Sequence, residues 1–157
     1  MTEAVDQSLD TLIAKETWTL EDRDALLAIL FEGPHAPAHL RKILADLEKA
    51  NPDATGGAAL KIGMGRYMLC HFEDALDILN GATDNRDRRL IQAECYKHMH
   101  QYERAREELA RARDRGLDSD TVDLETAETH ALEGNGEAAE KILGKLKRSL
   151  ANDARFF

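Results

Sequence analysis

Apolar residues recur along this chain at steps of three and four, and nowhere do apolar and polar residues alternate strictly. That period lines one face of an α-helix, so an all-α protein without a β-sheet is predicted. Val5, Leu9, Leu12 and Ile13 form one such stripe within 3–14. A second helix follows Thr19, whose side chain is expected to cap it with Asp22 in the reciprocal position, and runs through Phe31. Gly33-Pro34-His35-Ala36-Pro37 must break that helix. A further one runs to Ala50, before Asn51-Pro52.

From residue 56 the pattern repeats. Each of three segments has a small residue, an alanine twelve positions later and an apolar residue four beyond that: Gly63, Ala75, Leu79; Ala93, Ala105, Leu109; Ala127, Ala139, Leu143. Three positions before each small residue stands a leucine, namely Leu60, Leu90 and Leu124. Phe72 and Tyr102 precede the alanines by three, with Gly136 in the third segment. Small residue and alanine let two antiparallel helices approach closely; the aromatic fills the wedge near the turn, and the apolar residues extend the buried stripe. Short turns are expected at Cys70-His71, His100-Gln101 and Glu133-Gly134-Asn135-Gly136, with N-caps at Thr55 and Asp84.

A spacing of 34 residues, helix–turn–helix units and this residue order resemble the tetratricopeptide repeat, most closely from Gln101-Tyr102-Glu103-Arg104-Ala105 to Leu109 and Ala112. The resemblance implies helix–turn–helix repeats stacked in a right-handed α-solenoid. It divides the chain into N-terminal capping helices with a degenerate repeat (1–54, Ala28 in the small position and Leu40 where later repeats have alanine) and a repeat region (56–157). Within the latter, repeats span about 56–85, 86–119 and 120–153, followed by the start of a further helix. Departures from the family pattern are Ala59, Arg89 and Asp123 in place of an aromatic early in each first helix, a first repeat four residues short, and Gly136.

The resemblance also points to a groove lined by the first helix of each pair. Carried onto this chain, the groove residues are Leu60, Met64, Tyr67 and Met68; Leu90, Glu94, Lys97 and His98; and Leu124, Glu128 and Leu132. The stripe is adaptable at its methionine end and acidic toward the other, which suits a basic or apolar protein segment. The cationic clamp that some family members use to grip a terminal carboxylate is missing, since Leu60, Met64 and Leu90 stand there.

Charge and composition narrow the function further. The chain has 157 residues, 43% hydrophobic and 32% charged, with a net charge of −9. An acidic chain is a poor match for nucleic acid or an anionic membrane, and no apolar run approaches the roughly 20 residues of a membrane span. The basic residues Arg86, Arg88, Arg89 and 104–115 are interleaved with acids and read as a solvated face with pairs such as Glu107–Arg111. Two cysteines form no disulfide framework, and with no basic residue before Lys15 a cytoplasmic location is expected.

No chemistry stands out. Gly63-Met64-Gly65 lies in a helical pattern without a preceding strand, and Cys95-x-x-His98 supplies two of the ligands that a metal site needs. The expectation is no catalysis, no metal and no cofactor. The function expected is that of an interaction scaffold or adaptor. A small acidic secretion-type chaperone and the N-terminal interaction arm of a larger multi-repeat protein are alternatives. Phe156 and Phe157 suggest fold-back on the last helix, a docked partner or a homo-oligomer through the C-terminal end.

Overall fold

The computed structural model describes residues 9–149. They are helical at 9–13 and then form α1 (Leu20–Glu32), α2 (Ala36–Ala50), α3 (Gly56–Met68), α4 (Phe72–Leu79), α5 (Arg86–His98), α6 (Tyr102–Asp114), α7 (Ser119–Leu132) and α8 (Gly136–Ser149). Among the described residues there is no strand; Gly56 and Ala82 pair across a single isolated bridge. The fold is all-helical, with each helix packed chiefly on its neighbours in the chain. Glu3 to Val5, Phe156 and Phe157 lie outside the described residues.

Local chemistry sets the helix ends. Thr19 and Asp22 form the reciprocal cap: the Thr19 amide donates to Asp22 Oδ2 at 2.9 Å, and the Asp22 amide donates to Thr19 Oγ1 at 3.3 Å. Thr55 stands at an N-cap without a side-chain bond. Asp84 is not the cap of α5; Asn85 is, accepting from the Arg88 amide at 2.9 Å. Asp84 accepts instead from Arg89 and Arg115.

The three helix pairs α3/α4, α5/α6 and α7/α8 turn in the same way. The residue after each first helix's C-cap has positive φ: Cys70 (62°), His100 (59°) and Gly134 (89°). In each turn the next amide reaches back five residues, from His71 to Arg66 O, from Gln101 to Tyr96 O and from Asn135 to His130 O. This is the left-handed C-cap that glycine adopts without strain, and only the third turn uses glycine.

The template residues of the first repeat meet where expected. A Cβ added to Gly63 would lie 2.5 Å from Leu79 Cδ2, so the crossing of α3 and α4 has no room for a methyl group. Ala75, Ala93, Ala105, Ala127 and Ala139 are all buried. The first pair is built differently. α1 and α2 barely touch each other, and Ala28, expected in a buried small position, is exposed while Leu26 and Ile29 are buried. Leu40 is buried, and α2 packs against α3, where a Cβ on Gly65 would overlap the Leu44 side chain.

Ion pairs brace the second helix pair and tie it to the third. Arg89 spans Asp84 and the buried Glu108, and Arg111 pairs with Glu108 rather than with Glu107. Arg113–Asp123 and Arg106–Glu133 join α6 to α7. The basic cluster is thus partly a packing device and not only a solvated face.

Candidate functional site

The face that the first helices were expected to present runs from closed to open along the chain. At α3 it is closed: Leu60 is 2% exposed, and Met64 is fully buried. They share a core with Leu9, Trp18, Leu26 and Ile91. The segment 12–22 is strapped there by named bonds. Trp18 Nε1 donates to Leu12 O at 2.7 Å, and Lys61 Nζ donates to Lys15 O at 2.8 Å and to Ile13 O. The Lys61 ammonium also lies 5.4 Å from the Trp18 ring centroid, a cation–π approach. Lys61 meets carbonyls and no carboxylate, so burial pulls its pKa below the ordinary value.

At α5 the face is partly closed by α1. Arg23 Nη1 donates to Glu94 Oε1 at 2.9 Å, with both side chains largely out of solvent. Leu20 packs on the cluster holding Leu90 and Ala93, and its backbone amide meets the Asp87 carboxylate. Helix α1 therefore touches α5 through Leu20 and Arg23 of its first turns. Leu90 is 4% exposed. Tyr67 reaches Glu94 from α3; burial and the neighbouring carboxylate hold its hydroxyl pKa far above the ordinary value. Its ring lies 6.0 Å from Phe72 and 6.2 Å from His98, and His98 stacks on Phe72 at 4.8 Å.

At α7 the face is open. Leu124 is 39% exposed and Leu132 53% exposed, two helical turns apart, with Glu128 exposed between them. Lys97 of α5 donates to Glu125 at 2.9 Å and to Glu128 at 3.0 Å, so one ammonium serves two carboxylates. Burial opposes the Lys97 charge, but the two partners outweigh it and its pKa is raised.

The eleven residues expected in the groove therefore fall into three groups. Leu60, Met64 and Leu90 are core residues and are not available to a partner. Tyr67, Met68, Glu94 and Lys97 are partly buried and engaged within the chain, Met68 by packing on the core; His98 is exposed but stacked. Leu124, Glu128 and Leu132 face solvent. Sequence reasoning missed Arg23 and Trp18, which close the first part of the face. Trp18 carried a signal, being the single tryptophan of the chain and four residues before the cap partner Asp22.

The side chains with reactive potential do not converge. Cys95 is buried with its thiol pushed up to about 12, while His98 points to the exposed stack, so the Cys95-x-x-His98 pair does not share a site. Among the described residues no group of three His, Cys, Asp or Glu is placed to hold a metal ion, and no helix is long and apolar enough to cross a membrane. A cavity of about 560 Å³ lies between the strap and α3, lined by Lys15, Glu16, Thr17, Asn51 and Lys61 among others, and by none of the groove-face residues. No protein-family model, no curated protein and no solved structure matches the chain.

Proposed function

We propose that this chain is a protein-interaction scaffold of the tetratricopeptide kind, its helix pairs stacked in a right-handed solenoid, and that it holds a partner segment on the open face of α7. The supporting observation is the contrast between equivalent positions. Leu60 is buried in a core shared with the N-terminal residues Leu9 and Trp18, and Leu90 in a cluster with Leu109, Val122 and Leu20, whereas Leu124 and Leu132 are exposed. Open leucines flanking a carboxylate on a regular helix form a small apolar patch with a polar centre, as interaction sites often do. The acidic balance of the chain, −9 overall, suits a partner segment that is basic or apolar. Within this reading the protein performs no catalysis and uses no cofactor.

Affinity capture with the tagged chain and its Leu132→Asp variant tests the reading, with Phe31→Ser as the comparison because Phe31 is 88% exposed on α1. Capture should fall sharply for Leu132→Asp and persist for Phe31→Ser, with unchanged melting temperatures. Loss for Phe31→Ser alone would move the partner to α1.

A further inference from the structure

The contacts of Leu20 and Arg23 with α5 are an internal template for what α7 can hold. Glu94 and Glu128 stand at the same position of successive first helices, as do Leu90 and Leu124. At α5 this row is met by the start of α1, with Leu20 on the Leu90 cluster and Arg23 on Glu94. At α7 the same row ends in Leu132 in place of His98, and it lacks a covering helix among the described residues. The carboxylates of Glu125 and Glu128 share one ammonium, so a second cation would meet an acidic site that is only half compensated.

Resting on the reading above, we propose that the partner segment is an amphipathic helix with the pattern apolar-x-x-cation-x-x-apolar. Its cation meets Glu128 as Arg23 meets Glu94, and its apolar side chains lie on Leu124 and Leu132. Steps of three keep the three side chains on one side of the incoming helix, and their span of about 9 Å lies within the about 12 Å between Leu124 and Leu132. Arginine suits the middle position because its planar fork pairs with carboxylates at low desolvation cost, as Arg23 does on Glu94. The commitment is to a helical peptide, since an extended strand would place alternate residues on opposite sides.

The probe is a synthetic helical peptide with Leu, Arg and Leu at those steps in an alanine and glutamine background, titrated into the isotope-labelled full chain and followed by NMR. Shifts should concentrate at Leu124, Glu128 and Leu132. Affinity should drop at least about tenfold when the peptide's Arg becomes Glu, and likewise for the chain variant Glu128→Arg, with the first loss shrinking as salt rises. No binding at millimolar peptide, equal binding of the Arg and Glu peptides, or full affinity in Glu128→Arg would each overturn the proposal. A second copy is the competing occupant: were the free chain a dimer that Leu132→Asp makes monomeric, the patch would be a self-interface and the proposal would fall. Failure of the peptide while Leu132→Asp still abolishes capture would remove this partner chemistry alone. Failure of both would remove the interaction face itself.

Discussion

Leu60 and Leu124 are the same residue at the same place in equivalent helices, yet one is sealed in the core and the other faces water. The helix pairs around them are alike: small residue opposite leucine, a tight left-handed turn, an alanine in the close contact. The difference comes from elsewhere in the chain. Residues between 12 and 30 join the core around α3, and Arg23 reaches α5 at Glu94. A second contrast follows the same direction. Leu79 and Leu109 are buried, whereas Leu143, at the matching place in α8, is 38% exposed. One end of the molecule thus buries these leucines in its own core, and the other leaves them partly exposed.

The sharpest way to break this comparison is to truncate the two leucines. Leu60→Ala should destabilise the chain by about 2–5 kcal/mol, the usual cost of emptying a closed core site, and Leu124→Ala by less than about 1 kcal/mol. Urea unfolding curves with equal midpoints would show that the two positions are equally covered. Tyr67 and Glu94 belong on the closed side of the comparison. Glu94→Lys puts like charge against Arg23 and should lower stability, which disqualifies it as a probe of binding alone.

A smaller effect tests whether the repeat pairs are equivalent beneath that difference. Ala105 is buried at the α5/α6 contact and Ala110 is exposed on the same helix. Ala105→Leu should cost about 1–3 kcal/mol through overpacking, and Ala110→Leu no more than about 0.5 kcal/mol. Reversed costs, measured by thermal unfolding, would place the contact on the wrong side of α6.

The ion pairs between helices add a dependence on pH. Arg89 first, and Arg115 with it, hold the Asp84 carboxyl well below its ordinary value of 3.8, outweighing partial burial. A depressed carboxylate contributes stability above its unfolded value, and that contribution is lost as pH falls through the folded value. Stability should therefore drop below about pH 4, and Asp84→Asn should flatten that part of the curve while leaving the slope near neutral pH unchanged. An identical acid limb in the variant would separate Asp84 from the effect.

The smallest expected effect concerns the turns. Cys70 and His100 hold positive φ that Gly134 adopts freely. Cys70→Gly should stabilise by up to about 1 kcal/mol, and His100→Gly by less, because the His100 ring also meets the Tyr102 hydroxyl at 2.8 Å. A loss of stability in Cys70→Gly would mean that the turn is held by contacts other than its backbone bonds.

How much of this was legible before the structure follows from how far apart the interacting residues lie. The Thr19–Asp22 cap and the small-residue pairing of Gly63 with Leu79 are local or one turn away in a repeat, and composition and spacing reveal them. Asn85 and Asp84 are both good capping residues, and spacing alone does not rank them. The Arg23–Glu94 pair joins residues 71 positions apart, with no periodicity to announce it. Glu108 reads as one acid among many on a charged helix, and only the fold turns it toward Arg89. For the same reason the eleven-residue groove shrank to an open patch on α7: helix periodicity tells which residues share a face, not which faces another part of the chain covers.

Thiol accessibility along that face is the most direct test of a groove closed at one end and open at the other. Leu60→Cys, Met64→Cys, Leu124→Cys and Leu132→Cys are made singly in a Cys70→Ser background, since Cys70 is exposed and Cys95 buried. Under native conditions the thiols introduced in place of Leu124 and Leu132 should react with a thiol reagent within about tenfold of the unfolded rate. Those in place of Leu60 and Met64 should react more than about a hundredfold more slowly, because they must wait for unfolding. Comparable rates at all four positions would contradict a face that is closed at α3 and open at α7.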